Sequence, residues 1–246
     1  MIGKLGRKAV KTDTRTLRLA RYLTETLPVP PPDRNWMQGI TDFGMMCNNI
    51  LGDCTIAGCG HAVQVWSLNT GNEETVDDTD IEKAYSEWDG YVPGDPSTDC
   101  GGVELDVLKN WRADGLAGHK LIGFAAVNVA NLTEICQAID LFGGVYIGLA
   151  LPLSAQGQAE WDVVPDDGSG NSSAGGWGGH CVFVAAYNKE SFTCITWGAP
   201  MKMTVAFWNA YCDEAYALLG ADWMSSKGAP SGFNLAQLTA DLAMIR

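Results

Sequence analysis

The sequence predicts an α+β fold, because helical patterns dominate the first part of the chain and strand patterns the last part. An apolar segment runs from Cys54 through Trp66, and apolar residues recur at helical spacing over 103–114 and 132–142. Runs rich in β-branched and aromatic residues come later, at 145–151, 181–187 and 192–197. Helices that are segregated from strands along a chain are typical of α+β domains, whereas alternating elements favour parallel α/β folds.

Composition limits the classes of protein that this chain can belong to. Its 246 residues are 46% hydrophobic and 18% charged, which is enough apolar material for a sizeable core. The longest apolar run, 142–153, is shorter than a membrane span and is interrupted by Gly143 and Gly144. The formal net charge of −13 argues against nucleic-acid binding through the acidic body. We therefore expect a globular protein that binds neither a membrane nor, through that body, nucleic acid.

A basic arm precedes the acidic body. Residues 1–21 hold seven basic side chains against the single acid Asp13, and prolines then dominate 27–32. We divide the chain into an arm (1–26), a proline-rich linker (27–34) and one domain (35–246). Two interpretations of the arm stay open. It packs on the acidic body of its own chain, which we favour, or it docks to a protein partner.

The arm has no uninterrupted apolar stretch of the kind found in secretory signals. This pattern predicts a protein that stays in the cytoplasm of the producing cell or becomes part of a virion. The eight cysteines are then expected to be reduced thiols. Cys54, Cys59 and His61 lack the closely spaced cysteine pair of typical zinc sites, so we predict no metal and no cofactor.

Turn and capping signals place the remaining elements. Glycine-rich or acidic loops are predicted at 71–80 and 168–179, and a hairpin turn at 188–191. Further elements are a short helix within 203–212 capped by Thr204, a strand at 214–219 and a final helix at 235–245.

Cys54 and His180 are the residues most able to do chemistry. A cysteine in the first turn of a helix gains thiolate character, because unpaired N–H groups and the helix dipole favour negative charge there. An imidazole nearby would complete a nucleophile, and His180 opens a strand directly after a glycine-rich loop. We interpret the other histidines as structural (His61) or exposed (His119).

Several motifs, in chain order, resemble those of the papain-like cysteine peptidase superfamily. Trp36 lies eighteen residues before Cys54, as the family spacing implies, and Asn48 falls where the family has its oxyanion-hole glutamine. The segment 99–102 is similar to the family's Cys-x-Gly-Gly turn, and the segment that begins at His180 is similar to its histidine strand. Segments 138–147 and 197–198 resemble the family's helix, glycine turn and strand, and the Trp-Gly pair that covers the imidazole.

The resemblance implies a two-lobed papain-like fold, with a helical lobe followed by an antiparallel β-sheet lobe. It implies that Cys54 is the nucleophile, that His180 is the general base and that Asn48 helps to hold the oxyanion. Substrate contacts are expected from Gly101, Gly102, Gly179 and Trp197.

The sequence departs from the family at the residue that orients the imidazole, for which the family uses asparagine. Alignment on Trp197 puts Ile195 in that place, whereas counting from His180 puts Thr196 there. Only threonine can form the hydrogen bond, so Thr196 is the candidate. Asn48 is shorter than glutamine, and the carboxylate of Asp53 opposes thiolate formation in its neighbour.

We predict a cysteine-type hydrolase that cleaves peptide or related amide bonds in a peptide or protein substrate. The alternative is a catalytically weak or inactive papain-fold protein with a structural or binding role. Such a protein, for example a component of a phage virion or another large complex, would dock through its basic arm.

Overall fold

The computed structural model describes residues 3–21, 29–224 and 228–232. Its five α-helices in these ranges are α1 (Cys54–Thr70), α2 (Asp78–Asp89), α3 (Glu104–Asp114), α4 (Leu132–Phe142) and α5 (Val205–Tyr211). Its strands are β1 (Arg34–Asn35), β2 (Leu121–Ala126), β3 (Val145–Leu151), β4 (Gly178–Tyr187), β5 (Ser191–Thr196), β6 (Ala199–Thr204) and β7 (Cys212–Gly220). The predicted helices at 103–114 and 132–142 and the predicted strand at 145–151 are present, and the predicted final helix lies outside the described residues.

The strands form one antiparallel sheet in the order β2-β7-β3-β4-β5-β6, with β1 paired to β4. The central pair β3 and β4 aligns Leu149 with His180. Helices α1, α2 and α3 lie together beside this sheet, and α1 packs directly against β4. A helical region followed by an antiparallel sheet is the arrangement that the sequence predicted.

Helix α1 is buried on all sides over its first fourteen residues. A helix that is apolar all round belongs in the interior of a protein rather than on its surface. The indole of Trp66 is fully buried, donates a hydrogen bond to the Phe142 carbonyl at 2.8 Å and stacks on Trp111 at a centroid distance of 5.8 Å. Gly71, in the left-handed conformation, ends the helix.

Helix α2 corrects the loop that the sequence predicted at 71–80, because this helix already begins at Asp78. Its buried positions, Ile81, Ala84 and Tyr85, have the i, i+3, i+4 spacing of an amphipathic helix. The acids Asp78 and Asp80 occupy the first turn, where the helix dipole favours negative charge. An acidic segment that looks like a loop is thus also a good helix start.

The arm crosses the acidic body rather than extending away from it. Residues 3–8 enter the space between α3 and β4, and Leu17 then accepts a hydrogen bond from the Ala126 amide of β2 at 2.7 Å. Ion pairs support this path, between Lys11 and Asp106 at 2.8 Å and between Lys109 and Asp13 at 2.9 Å. Residues 22–28, which include the end of the arm and the start of the linker, lie outside the described residues.

Across the described part of the chain, every helix is too short or too polar to cross a membrane.

Trp66 anchors the helix that carries Cys54, so its truncation should destabilise the whole fold. We expect Trp66→Ala to lower the free energy of unfolding by about 3–5 kcal/mol, because it removes a fully buried indole and leaves a cavity. Chemical denaturation monitored by circular dichroism measures this loss. Trp88→Ala is the matched control: Trp88 is only partly buried and should give a clearly smaller loss. Equal losses would contradict the central place of α1.

Candidate active site

Cys54 is the first residue of α1, and its side chain is only 1% exposed. The amide of Cys181, which follows His180 on β4, donates to Cys54 Sγ at 3.4 Å. The start of α1 is fixed to the sheet by the Tyr146 hydroxyl, which donates to the Thr55 carbonyl at 2.8 Å. The structure therefore places the thiol at the contact between the helical region and the sheet, beside the histidine strand.

His180 is completely buried and has a defined orientation. Its Nε2 lies 2.7 Å from Thr196 Oγ1, and its ring stacks on the indole of Trp197 at a centroid distance of 4.6 Å. Its Nδ1 is buried and has no hydrogen-bond partner within the described residues. With Nε2 bonded to threonine, Nδ1 is the nitrogen left to exchange a proton, and it makes no hydrogen bond to the Cys54 thiol in this conformation.

Strand geometry explains why the bond comes from Thr196. Ile195 pairs with Phe183, and the two share a face of the sheet within the core. Because side chains alternate along a strand, Thr196 points to the opposite face, which is also the face of His180. The orienting group is thus the residue found by counting from His180.

Burial keeps both candidate catalytic groups uncharged in this conformation. Desolvation raises the pKa of the Cys54 thiol to about 12, and the nearby Asp53 carboxylate adds to that rise. Desolvation also lowers the pKa of His180 to about 3, with a smaller contribution from His61. A thiolate and imidazolium pair is therefore disfavoured as long as the site stays covered.

The amide of Asn48 is directed away from an oxyanion role in this conformation. Its Nδ2 donates to the Leu51 carbonyl at 3.1 Å and to Asp53 Oδ1 at 3.0 Å, so both amide hydrogens are engaged. Asp53 is fully buried, and desolvation raises its pKa well above the usual value. Asn48 could hold an oxyanion only after exchanging one of these bonds.

The four residues expected to contact substrate instead contact the arm of the same chain. Gly102 donates to the Gly6 carbonyl at 2.8 Å and accepts from the Lys8 amide at 2.8 Å, which forms a short parallel pairing around Arg7. The Gly179 carbonyl accepts from the Arg7 amide at 3.1 Å, and Trp197 Nε1 donates to the Lys4 carbonyl at 3.1 Å. Gly101, the fourth residue, lies against the Gly6 carbonyl.

Gly6 lies at the narrowest point of the cleft. A Cβ built on it would overlap the Gly52 carbonyl, and one built on Gly101 would overlap the Gly6 carbonyl. The Gly6 amide also interacts with the Cys54 thiol. Close packing of two backbones requires glycine on both sides, so the arm closes the site directly over its sulfur.

Arg7, the next residue, inserts its guanidinium into a pocket of three carboxylates, which we call the carboxylate pocket. Its Nη2 lies 2.6 Å from Asp213 Oδ1 and 2.8 Å from Glu214 Oε2, and its Nε lies 2.9 Å from Glu104 Oε1. Its side chain is 3% exposed, and those of Glu104 and Glu214 are 0% and 5% exposed. Burial alone would lower the pKa of Arg7, but the three acids raise it above its usual value.

Two further sequence predictions concern metal-binding side chains and His119. No group of three or more His, Cys, Asp or Glu side chains in these residues is placed to hold a metal ion. His119 is not exposed as the sequence indicated, because its side chain is 14% exposed and its Nδ1 lies 3.0 Å from Asp222 Oδ1. That carboxylate raises the pKa of His119.

Solved cysteine protease structures share this architecture. Xylellain, a cysteine protease from Xylella fastidiosa, matches with a TM-score of 0.66 and 11% identity over 88% of this chain and 96% of its own. Digestive procathepsin L 3 of Tenebrio molitor matches with a TM-score of 0.59 and 13% identity over 88% of this chain and 75% of its own. The bromelain protease of Ananas comosus, solved with the E64 inhibitor, matches with a TM-score of 0.54 and 14% identity, over 77% and 99% of the two chains.

No protein-family model matches the sequence, and no curated protein matches it with significance. At identities this low, the structural matches establish the fold alone. The chain has the papain-like fold, and the α+β class and two-lobed architecture predicted from its motifs are confirmed.

The carboxylate pocket could not be predicted from local sequence patterns. Glu104 stands in the first turn of α3, where acids are routine, and Glu214 stands in a strand of mixed polarity. Neither position draws attention alone. The one available signal was the pairing of a strongly basic arm with an acidic body, which indicated contact but not its location.

The covered site predicts slow chemistry at Cys54. In the unaltered chain we expect iodoacetamide to label Cys54 far more slowly than Cys100 between about pH 6 and 9, because a thiol of raised pKa holds little thiolate. Gly6→Ala should displace the arm and accelerate labelling of Cys54 without changing that of Cys100, which is exposed. Mass spectrometry of the labelled peptides measures both rates, and rapid labelling of Cys54 in the unaltered chain would contradict the covered site.

Proposed function

We propose that this protein is a cysteine-type hydrolase of peptide or related amide bonds, with Cys54 as nucleophile and His180 as general base and acid. The observation that carries the proposal is the arrangement of His180. Its Nε2 is bonded to Thr196 and its Nδ1 is buried without a partner, while the amide of the next residue donates to the Cys54 sulfur. The papain-like fold of known cysteine proteases supports the same assignment.

The reaction follows from these roles. His180 Nδ1 takes the thiol proton, and the sulfur attacks the carbonyl carbon of the scissile amide. The imidazolium then gives its proton to the leaving amine, and a thioester is left on Cys54. Water, deprotonated by His180, attacks the thioester and releases the acid and the free thiol. Thr196 holds the imidazole ring in one orientation throughout.

The oxyanion needs donors close to the Cys54 sulfur. The Cys54 amide belongs to the first turn of α1, where backbone N–H groups have no partner within the helix. Asn48 would supply the second donor after releasing Leu51 or Asp53. One such donor commonly contributes about 3–4 kcal/mol to stabilisation of the transition state.

Hydrolysis requires that the arm leave the cleft, because Gly6 occupies the space above the sulfur. Departure of the arm would also rehydrate Cys54 and His180, and their pKa values would move back towards the usual range. A tethered arm competes with substrate for the cleft at an effective concentration on the order of millimolar. The chain with its arm in the cleft should therefore be a poor enzyme.

A second candidate function is a papain-fold binding or assembly protein whose cleft stays closed. The complete burial of Cys54 and His180, with Gly6 against the thiol and Trp197 over the imidazole, favours it, because such a site could not meet a substrate. Partner docking through the arm would then use residues that the cleft leaves exposed, for example Lys8 and Arg15.

Peptide hydrolysis by arm-displaced variants decides between these two functions. We expect Gly6→Ala to hydrolyse fluorogenic peptides at least about tenfold faster than the unaltered chain. The added Cβ cannot fit against Gly52, so the arm should leave the cleft and let the peptide enter. Adding Cys54→Ala or His180→Ala should abolish the gain. Adding Thr196→Val should reduce it, whereas Thr196→Ser, which keeps the hydroxyl, should preserve most of it.

Two observations would contradict the hydrolase. The first is a folded Gly6→Ala variant that labels readily at Cys54 but cleaves no peptide, and the second is hydrolysis that survives Cys54→Ala. Gly123→Ala is the matched control, because a Cβ on Gly123 meets no atom within 4 Å. It should leave labelling and hydrolysis at the level of the unaltered chain.

A further inference from the structure

We propose that the carboxylate pocket is a subsite for an arginine side chain of the peptide substrate, and that Arg7 fills it only while the arm covers the cleft. This inference rests on the proposed hydrolase function. It names the substrate class, which is a peptide with arginine next to the residue that lies over Cys54.

The carboxylate pocket lies within the cleft. Arg7 pairs through its backbone with Gly102 and Gly179, the two glycines that flank the cleft beside Cys54 and His180. Its neighbour Gly6 lies against the thiol. Any extended peptide that pairs with the same two glycines would direct one side chain to the place of the Arg7 side chain, so the pocket belongs to the cleft.

The pocket is acidic. Glu104, Asp213 and Glu214 surround one guanidinium, so the pocket holds more acids than the arginine can neutralise. Burial, followed by repulsion from Glu214, raises the pKa of Glu104 well above its usual value. Both Glu104 side-chain oxygens are buried and accept no well-aligned hydrogen bond in the described residues, even though Arg7 Nε is 2.9 Å away. Once the arm leaves, the carboxylates of Asp213 and Glu214 lose the guanidinium that they hold and favour another cation.

The shape of the pocket suits a guanidinium. Gly148, in the middle of β3, forms its floor, and a Cβ built there would overlap the Arg7 guanidinium. Gly148 has no positive φ that would require glycine. The glycine therefore provides space, and the space fits a planar, forked cation better than a compact ammonium. Tyr216 further fixes the pocket by donating to Glu214 Oε1 at 2.6 Å.

The first test measures binding without catalysis. The full chain with Gly6→Ala and Cys54→Ala is titrated with a fluorescent peptide that copies residues 3–9, and anisotropy is recorded. We expect replacement of its arginine by citrulline, which keeps the shape but not the charge, to weaken binding at least about tenfold, and lysine to give an intermediate loss.

Pocket variants locate that preference. Gly148→Ala and Glu214→Gln should each remove most of the difference between the arginine and citrulline peptides. Gly123→Ala and Glu160→Gln, at positions remote from the pocket, should leave the difference intact. Absence of binding, equal binding of the two peptides, or a preference that survives both pocket variants would overturn the proposal.

The second test measures substrate choice in the full chain with Gly6→Ala alone. Fluorogenic peptides carry arginine at one position after another on either side of the scissile bond. We expect faster hydrolysis with arginine at the position next to the residue over Cys54, and loss of that advantage with Gly148→Ala. Hydrolysis without any arginine preference would overturn the arginine subsite and leave the hydrolase standing. Arginine-dependent binding without hydrolysis of any peptide would refute the hydrolase and leave the pocket as a guanidinium site.

Discussion

The buried contact of Arg7 with three carboxylates is the interaction on which the state of this molecule depends. Glu104 comes from α3 and Asp213 and Glu214 from β7, so one guanidinium ties the helical region, the sheet and the arm together. Removing one partner of such a buried charged cluster typically destabilises a protein by about 3–5 kcal/mol, because the remaining charges lose their compensation. The backbone pairing of Gly6, Arg7 and Lys8 then follows from where this side chain is held.

Burial determines the charge state of Cys54 and His180 in the closed cleft. The Gly6 backbone lies against the Cys54 thiol and the Trp197 indole covers His180, and exclusion of water disfavours the charged forms of both groups. Burial therefore accounts for the uncharged forms of Cys54 and His180. His180 keeps its Thr196 partner and its Trp197 cover in the closed conformation, whereas the amide of Asn48 is bonded to Leu51 and Asp53.

The contact between Thr196 and the imidazole of His180 illustrates how strand geometry selects one of two neighbouring residues. The pairing of Ile195 with Phe183 fixes which residues face the core, and alternation then presents Thr196 to the imidazole. A hydroxyl accepts a hydrogen bond from the imidazole N–H as a carbonyl oxygen does, although it can also rotate and donate. The site thus retains an orienting bond although the motif is lost.

The sequence by itself determined the fold class and the placing of helices mainly before strands, and it singled out Cys54 and His180 as candidates. These features depend on local periodicity, glycine turns and short motifs, all of which are written in neighbouring residues. It did not determine the start of helix α2, because the acidic segment 71–80 includes the first turn of that helix, or the hydrogen bonds of Asn48. Only the tertiary structure decided that Arg7 meets Glu104 and Glu214, because residues about one hundred and two hundred positions apart share no sequence pattern. Long-range charge pairing is set by packing, and packing becomes visible only when the chain is folded.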